Sequence, residues 1–196
     1  MSNTVYLLRH GQTEWSETGK HTGRTDIPLT GEGEARARRA GEVLAGLRGE
    51  RGAVVITSPR QRAVRTAALA GLAVDETTEE LAEWDYGDYE GLTTPEIREA
   101  VPGWTVWTHP CPNGESAEQV TERAARLLDR VRRLDRDVVL VGHGHFSRVL
   151  VAAWIGQPST FGVHFGLDAA GIVVLGDERG VPQIKRMNIP SPVRNP

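Results

Sequence analysis

Cysteine is all but absent from this 196-residue chain. Cys111 stands alone, so no internal disulfide can form, as expected of a protein kept in a reducing, intracellular setting. It lies between Pro110 and Pro112 with no basic neighbour in sequence to lower its thiol pKa, and reads as a small side chain in a loop. No apolar run approaches the ~20 residues that a membrane span requires. Met1-Ser2-Asn3-Thr4 lead directly into Val5-Tyr6-Leu7-Leu8 without a basic stretch or a small-residue cleavage site, so no signal peptide is expected and the cytoplasm is the expected location. Positive charge is not in excess either. The formal net charge is −3, which argues against a nucleic-acid partner held by general electrostatics. Internal repeats and low-complexity segments are also missing. What remains is a globular composition, 39% hydrophobic and 25% charged, at a length that suits a single domain over residues 1–196.

Short apolar runs alternate with helical patterns, which predicts an α/β domain with a mostly parallel central sheet. Val5-Tyr6-Leu7-Leu8, Ala53-Val54-Val55-Ile56 and Val138-Val139-Leu140-Val141 are continuous apolar runs, as buried strands require. Residues 172–175 and 183–187 flank the turn-like Asp177-Glu178-Arg179-Gly180 and predict an antiparallel edge hairpin, which could pair two copies into a homodimer. Ala37, Ala40, Leu44 and Leu47 form a helical stripe. Ser58-Pro59 and Thr94-Pro95 predict helix starts, with a cap followed by a first-turn proline. Ser116-Ala117-Glu118-Gln119 reads as a capping box, and a last helix with Phe146, Val149, Leu150 and Ala153 inward follows the third strand. Residues 92–115, rich in Pro and Trp, are the expected insertion over the site. Trp84, Trp104 and Trp107 are expected at the pocket mouth, and Trp15 and Trp154 in the core.

Ligands of open α/β sheets bind beyond the carboxyl ends of the strands. Here those ends carry Arg9-His10-Gly11, Ser58-Pro59-Arg60-Gln61-Arg62 and Gly142-His143-Gly144-His145. Two arginines and two histidines on one rim suit a phosphate. Arg9 and Arg62 offer planar forks that match phosphate oxygens, and Gly11 and Gly144 let backbone N–H groups approach an anion. Two helix N-termini are expected to add favourable dipoles. A neutral histidine is a competent nucleophile near pH 7, and a second, protonated one can stabilise the transferring group. Arg60 and Arg65 read as solvated neighbours of Arg62, while His109 and His164 read as ordinary histidines. His143-x-His145 could be taken for a metal pair, but further ligands at metal spacing are lacking and the arginines would repel a cation, so no metal is expected.

Residues 8–15, Leu8-Arg9-His10-Gly11-Gln12-Thr13-Glu14-Trp15, resemble the signature of the histidine phosphatase superfamily, which includes cofactor-dependent phosphoglycerate mutases. The resemblance continues through Thr22-Gly23, Leu29-Thr30-Gly31-Glu32-Gly33, Ser58-Pro59-Arg60-Gln61-Arg62-Ala63, Glu83-Trp84-Asp85-Tyr86-Gly87, Gly114-Glu115-Ser116 and Val141-Gly142-His143-Gly144. It implies a three-layer phosphoglycerate mutase-like sandwich with an antiparallel edge strand and no cofactor. It also implies a catalytic set of His10 as the phosphorylated nucleophile, Arg9, Arg62 and His143 as phosphoryl ligands, and Glu83 as proton donor and acceptor. Some branches place an Asp after the second histidine as the acid. Gly144 stands there in this chain, which turns the choice to Glu83 over Asp85, Asp88 and Glu90. Gly11, Ser16, Thr22, Gly23, Arg24, Tyr86, Gly144 and His145 are the implied substrate contacts, and His21 is a further candidate for the pocket.

True mutases of the branch carry a longer basic insertion and a longer tail. Residues 91–114 are short and offer only Arg98 as a cation, and the tail at Asn188-Ile189-Pro190-Ser191-Pro192 lacks the length of a lid. The expected activity is therefore hydrolysis of small phosphorylated metabolites, sugar phosphates among them, without a metal. A phosphoglycerate mutase or a non-catalytic phospho-ligand binder is the alternative. Arg24 and Arg98 are the expected readers of a second phosphate or carboxylate.

Overall fold

A computed structural model describes residues 3–49 and 52–191. Met1, Ser2 and Pro192, on which part of the reading of the two ends rested, lie outside the described residues. In chain order the elements are β1 (Val5–Arg9), α1 (Glu14–Thr18), α2 (Gly31–Arg48), β2 (Ala53–Thr57), α3 (Gln61–Leu69), β3 (Glu76–Thr77), α4 (Thr94–Ala100), α5 (Ala117–Arg132), β4 (Asp137–Gly142), α6 (Gly144–Trp154), β5 (Ile172–Glu178) and β6 (Val181–Ile189). The strands form one sheet in the order β3-β2-β4-β1-β5-β6. β1 to β4 run parallel, with Leu7 opposite Leu140 and Ile56 opposite Leu140, while β5 is antiparallel to β1 and β6 to β5.

The continuous apolar runs have their explanation in the two cores. Val5, Leu7, Val138, Leu140, Val173 and Leu175 pack into one cluster with Leu127, Phe146 and Leu150 of α5 and α6. Their alternates Tyr6, Leu8, Val139, Val141, Ile172 and Val174 pack into a second with Ala40, Leu44, Ala63 and Ala67 of α2 and α3. Successive strand residues point to opposite faces. A strand covered on both sides must therefore be apolar throughout, and three layers result. No helix among the described residues is long and apolar enough to cross a membrane.

Several local expectations shift. α3 begins at Gln61 with Arg60 at its cap position, because the Ser58 hydroxyl is engaged by His143 Nε2 at 2.7 Å. The N–H of Gln61 instead donates to Asp26 Oδ1 at 2.8 Å. α4 is capped by Thr93, one residue before the expected Thr94, through a capping box with Glu96. α1 and β3 are short polar elements with no apolar signal to announce them. The tryptophans reverse their expected places: Trp84, Trp104 and Trp107 are buried in the larger core, whereas Trp15 is only half-buried. Trp154 is core, as expected. Cys111 is buried, and burial pushes its thiol up to about 12, so it remains protonated.

Candidate active site

The carboxyl ends of β1 and β4 lie side by side, with Arg9 paired to Gly142 in the register. That register puts the two residues that follow, His10 and His143, on the same rim, with ring centroids 5.3 Å apart. β2 lies on the other side of β4 and delivers Ser58 beneath His143 and, from the first turn of α3, Arg62. Above them opens a cavity of about 260 Å³ lined by Arg9, His10, Ser16, Lys20, His21, Thr22, Glu83, Tyr86, Thr94, Gly144, His145 and Arg148, together with Gly19 and Leu167.

His10 is buried, and its Nδ1 lies 2.7 Å from the Gly11 carbonyl. A carbonyl only accepts, so Nδ1 carries the proton and the Nε2 lone pair is free. Burial first, then the fields of Arg62 and Arg9, hold His10 well below the ordinary imidazole range, so the ring is neutral. His143 is fully buried and is also held well below that range, by burial and by Arg62. The protonated state expected of it is therefore not the resting one.

Arg62 is fully buried. Its Nη1 donates to the Thr25 carbonyl at 2.8 Å, and its Nη2 to those of Thr22 and Gly23 at 3.0 and 2.9 Å. The other side of that loop is held by Glu90, which accepts from the N–H groups of Gly23 and Thr25. Glu90 is thus a structural carboxylate, Asp85 pairs with Arg24, and Asp88 accepts from Asn113. Arg9 Nη1 donates to the Leu167 carbonyl. Protein carbonyls hold one edge of each arginine, through Nη1 of Arg9 and both Nη atoms of Arg62, and leave the Nε side of each open. Among the buried side-chain atoms without a hydrogen-bond partner, Nε of Arg9, Nε of Arg62 and Nδ1 of His143 are the ones that belong to Arg9, His10, Arg62 and His143. Buried polar groups are nearly always paired, and three orphans around one histidine mark a place for an anion.

Glu83 is buried against the start of α6. Its Oε1 accepts from Trp84 and Phe146 N–H at 2.9 and 2.7 Å, and its Oε2 from His145 N–H at 3.0 Å. The two helix starts expected to face a phosphate are therefore engaged by protein carboxylates, Asp26 at α3 and Glu83 at α6. Gly11 is corrected likewise. Its N–H donates to Thr66 Oγ1, and a Cβ there would lie 2.3 Å from the Gly33 carbonyl oxygen, so this glycine permits loop packing. A Cβ on Gly144 would come within 3.3 Å of Arg9 Nε and Cζ, so Gly144 makes room for the guanidinium.

A family model described as histidine phosphatase superfamily, branch 1, matches residues 5–190. The chain belongs to the histidine phosphatase superfamily. An acid phosphatase of Mycobacterium tuberculosis is 47% identical over 197 residues, covering 98% of this chain and 97% of that protein. The sedoheptulose 1,7-bisphosphatase of Saccharomyces cerevisiae is 35% identical over 180 residues, covering 76% of this chain and 66% of that one. A solved structure of a Mycobacterium tuberculosis open reading frame superposes with a TM-score of 0.94 at 46% identity, over 96% of this chain and 98% of that one. This member of the superfamily is a phosphatase, built on the phosphoglycerate mutase-like α/β sandwich.

Within that frame, Arg9, His10, Ser16, Thr22, Glu83, Tyr86, Gly144 and His145 share the cavity wall, with Arg62 and His143 buried beneath. Gly23 and Arg24 instead border an adjoining hollow on the far side of Glu83, where the exposed Arg24 pairs with Asp85 at 2.8 Å. Arg98 donates to the Trp104 carbonyl and does not reach the cavity wall. Neither of the two arginines expected to read a second anion lines the cavity. Arg60 and Arg65 pair with Glu79 and Glu34. His143 and His145 turn to different partners, Ser58 and Tyr86, and no metal-holding group of three or more His, Cys, Asp or Glu occurs among the described residues.

Sequence reasoning missed Lys20, Thr94, Arg148 and Leu167. Arg148 left one usable signal, because it follows His145 by three positions on α6 and so shares its face. The wall it belongs to is aromatic. Tyr86 Oη lies 2.6 Å from His145 Nδ1, and burial and the field of Glu83 raise the phenol well above its ordinary pKa, so it stays protonated. His21 packs tilted against Tyr86 and edge-on to Trp104, with ring centroids 4.8 and 5.2 Å apart, and burial lowers its pKa to about 4.

Proposed function

We propose that this phosphatase hydrolyses small phosphomonoesters through a phosphohistidine on Nε2 of His10. The observation that carries the reading is the set of three buried, unpartnered nitrogens around a histidine whose Nδ1 is already bonded to a carbonyl. The His10 Nε2 lone pair attacks phosphorus, and the bond from phosphorus to the leaving oxygen breaks. Arg9 Nε–H and Arg62 Nε–H donate to the equatorial oxygens of the transferring group, where negative charge must be held. With Ser58 donating to Nε2, His143 presents Nδ1–H to the same group, a donor that needs no positive charge of its own. Glu83 protonates the leaving oxygen, then takes a proton from the water that cleaves the N–P bond and releases inorganic phosphate. Ser16, Thr22, Tyr86, Gly144 and His145 contact the substrate. No step calls for a metal, because fixed cations and N–H donors do the electrostatic work.

The resemblance to an acid phosphatase and to a sugar bisphosphatase supports small phosphorylated metabolites as the substrate class. A neutral His10, held so by burial and two arginines, supports activity on the acidic side of neutrality. The test is phosphate release from an aryl phosphate between pH 5 and 8 with EDTA present, together with trapping of an acid-labile phosphoprotein. Wild type should release phosphate and carry the label. His10→Ala should lose both, by about 10⁴-fold or more in rate. Release that survives in His10→Ala would sink the mechanism.

A further inference from the structure

The cations that line the cavity outnumber those the phosphoryl group needs. Arg9 and Arg62 answer to the phosphoryl oxygens, yet Arg148 and Lys20 also line the wall. Neither has a salt-bridge partner among the described residues. Arg148 is half-buried and locked in place: Nε donates to the Gly162 carbonyl at 2.9 Å, Nη2 to that of Val163 at 3.2 Å, and the guanidinium lies over the Trp107 ring at 4.7 Å. That ring fits because residue 162 is glycine, where a Cβ would stand 2.6 Å from Trp107. A surface arginine that merely solvates a helix face has no such bracing. The one carboxylate on the cavity wall, Glu83, is held by three backbone N–H groups and forms no ion pair with Arg148. Burial lowers the pKa of Arg148 and the field of Glu83 opposes that, so the residue stays cationic, whereas His21 and His145 on the same wall are neutral. A fixed, partly desolvated guanidinium that feels Glu83 at a distance but makes no direct ion pair is suited to bind an anion.

We infer that Arg148, assisted by Lys20, is a specificity-determining residue that binds a second anionic group, carboxylate or phosphate, on the leaving-group side of the substrate. The inference rests on the reading of His10, Arg9 and Arg62 as the phosphoryl end of the cavity. It narrows the substrate class to short phosphomonoesters with another acidic group a few bonds from the scissile phosphate, since a 260 Å³ cavity holds both ends of only a small molecule.

The test is calorimetric binding to His10→Ala of glycerol 2-phosphate, 2-phosphoglycerate and glycerol 1,2-bisphosphate. These share a phosphate and a three-carbon frame and differ in the second group: neutral, carboxylate or phosphate. At least one of the two acidic ligands should bind about tenfold or more tightly than glycerol 2-phosphate, and the preferred one identifies the group. In His10→Ala/Arg148→Met that ratio should fall to about twofold or less, and in His10→Ala/Lys20→Gln it should fall partway. Thermal melts of all variants separate loss of recognition from loss of fold, and the ratio in His10→Ala alone needs no change at Arg148. Equal affinities for the three ligands, no binding of any, or a ratio that persists in a folded Arg148→Met protein overturns the inference. Phosphate release by His10→Ala during the titration would instead count against the phosphohistidine reading, and the affinity ratio would still decide the role of Arg148.

Discussion

At the floor of the cavity the histidines and arginines come from a strand end or the first turn of the helix that follows, while the buried Glu83 comes from the irregular segment after β3. Arg9 ends β1 and His10 follows it, Ser58 follows β2, Arg62 lies in the first turn of α3 and His143 follows β4. The outer wall is assembled differently. Lys20 and His21 come from the loop after α1, Thr94 from the first residue of α4, Tyr86 from an irregular segment, and His145 and Arg148 from successive turns of α6. The floor is buried at His10, Arg62 and His143 and over-determined, with three carbonyls fixing Arg62 alone. The wall mixes buried Tyr86 and His21 with half-buried Lys20, Thr94, His145 and Arg148, and is held by ring contacts and one or two hydrogen bonds per side chain. Chemistry common to every phosphomonoester sits where the sheet dictates geometry, whereas discrimination among substrates sits where loops and one helix face converge.

The contrast can be broken first at Arg62. Arg62→Lys keeps the charge but cannot satisfy three carbonyls and still present a donor, so kcat should fall by about 10²- to 10³-fold. Stability should fall as well, by roughly 1–3 kcal/mol for each carbonyl left unpaired. A variant that folds stably and turns over within a few-fold of wild type would show that the floor is not rigidly specified. Gly144→Ala is a finer probe. The site is helical and accepts alanine, but the Cβ must shift the Arg9 guanidinium by a few tenths of an ångström. Activity on an aryl phosphate should drop about three- to tenfold with the melting temperature unchanged or raised. Equal activity would place Arg9 outside the reacting geometry.

The smallest effect concerns pH. His10, His143 and His145 are held well below the ordinary imidazole value and His21 at about 4, burial being the first cause in each. The unfolded chain binds protons near pH 6.5 while the folded one does not. Stability from these groups is therefore complete above about pH 6.5 and declines as the pH falls from there toward about 4. Urea midpoints at pH 7.5 and 5 should show the loss, and His21→Phe should remove the share of His21. A midpoint that rises on acidification would contradict the buried, neutral assignments.

Much of this was legible beforehand. The apolar runs at 5–8, 53–56 and 138–141, the hairpin and the capping box at Ser116 all found their places, because a strand covered on both faces leaves an unmistakable pattern. Arg9, His10, Glu83 and His143 could be assembled on one rim from motifs alone. The same reading failed at Arg24 and Arg98, chosen as spare cations. Their partners Asp85 and the Trp104 carbonyl are set by folding, and no sequence spacing announces them. The tryptophans misled because a large aromatic beside a pocket motif says nothing about which way it faces. Arg148 went unseen because it sits amid an apolar helix run and acquires its role from Trp107 and from the Gly162 and Val163 carbonyls.

By itself, the order of residues determined the three-layer sandwich and the chemistry of its floor, since both depend on periodicity and on residues that directly follow a strand. Only the tertiary structure decided which arginine edges remain free, that helix starts serve Asp26 and Glu83 before any ligand, and which cations face the substrate. Those outcomes depend on where distant carbonyls and carboxylates come to rest, and burial makes every such pairing matter.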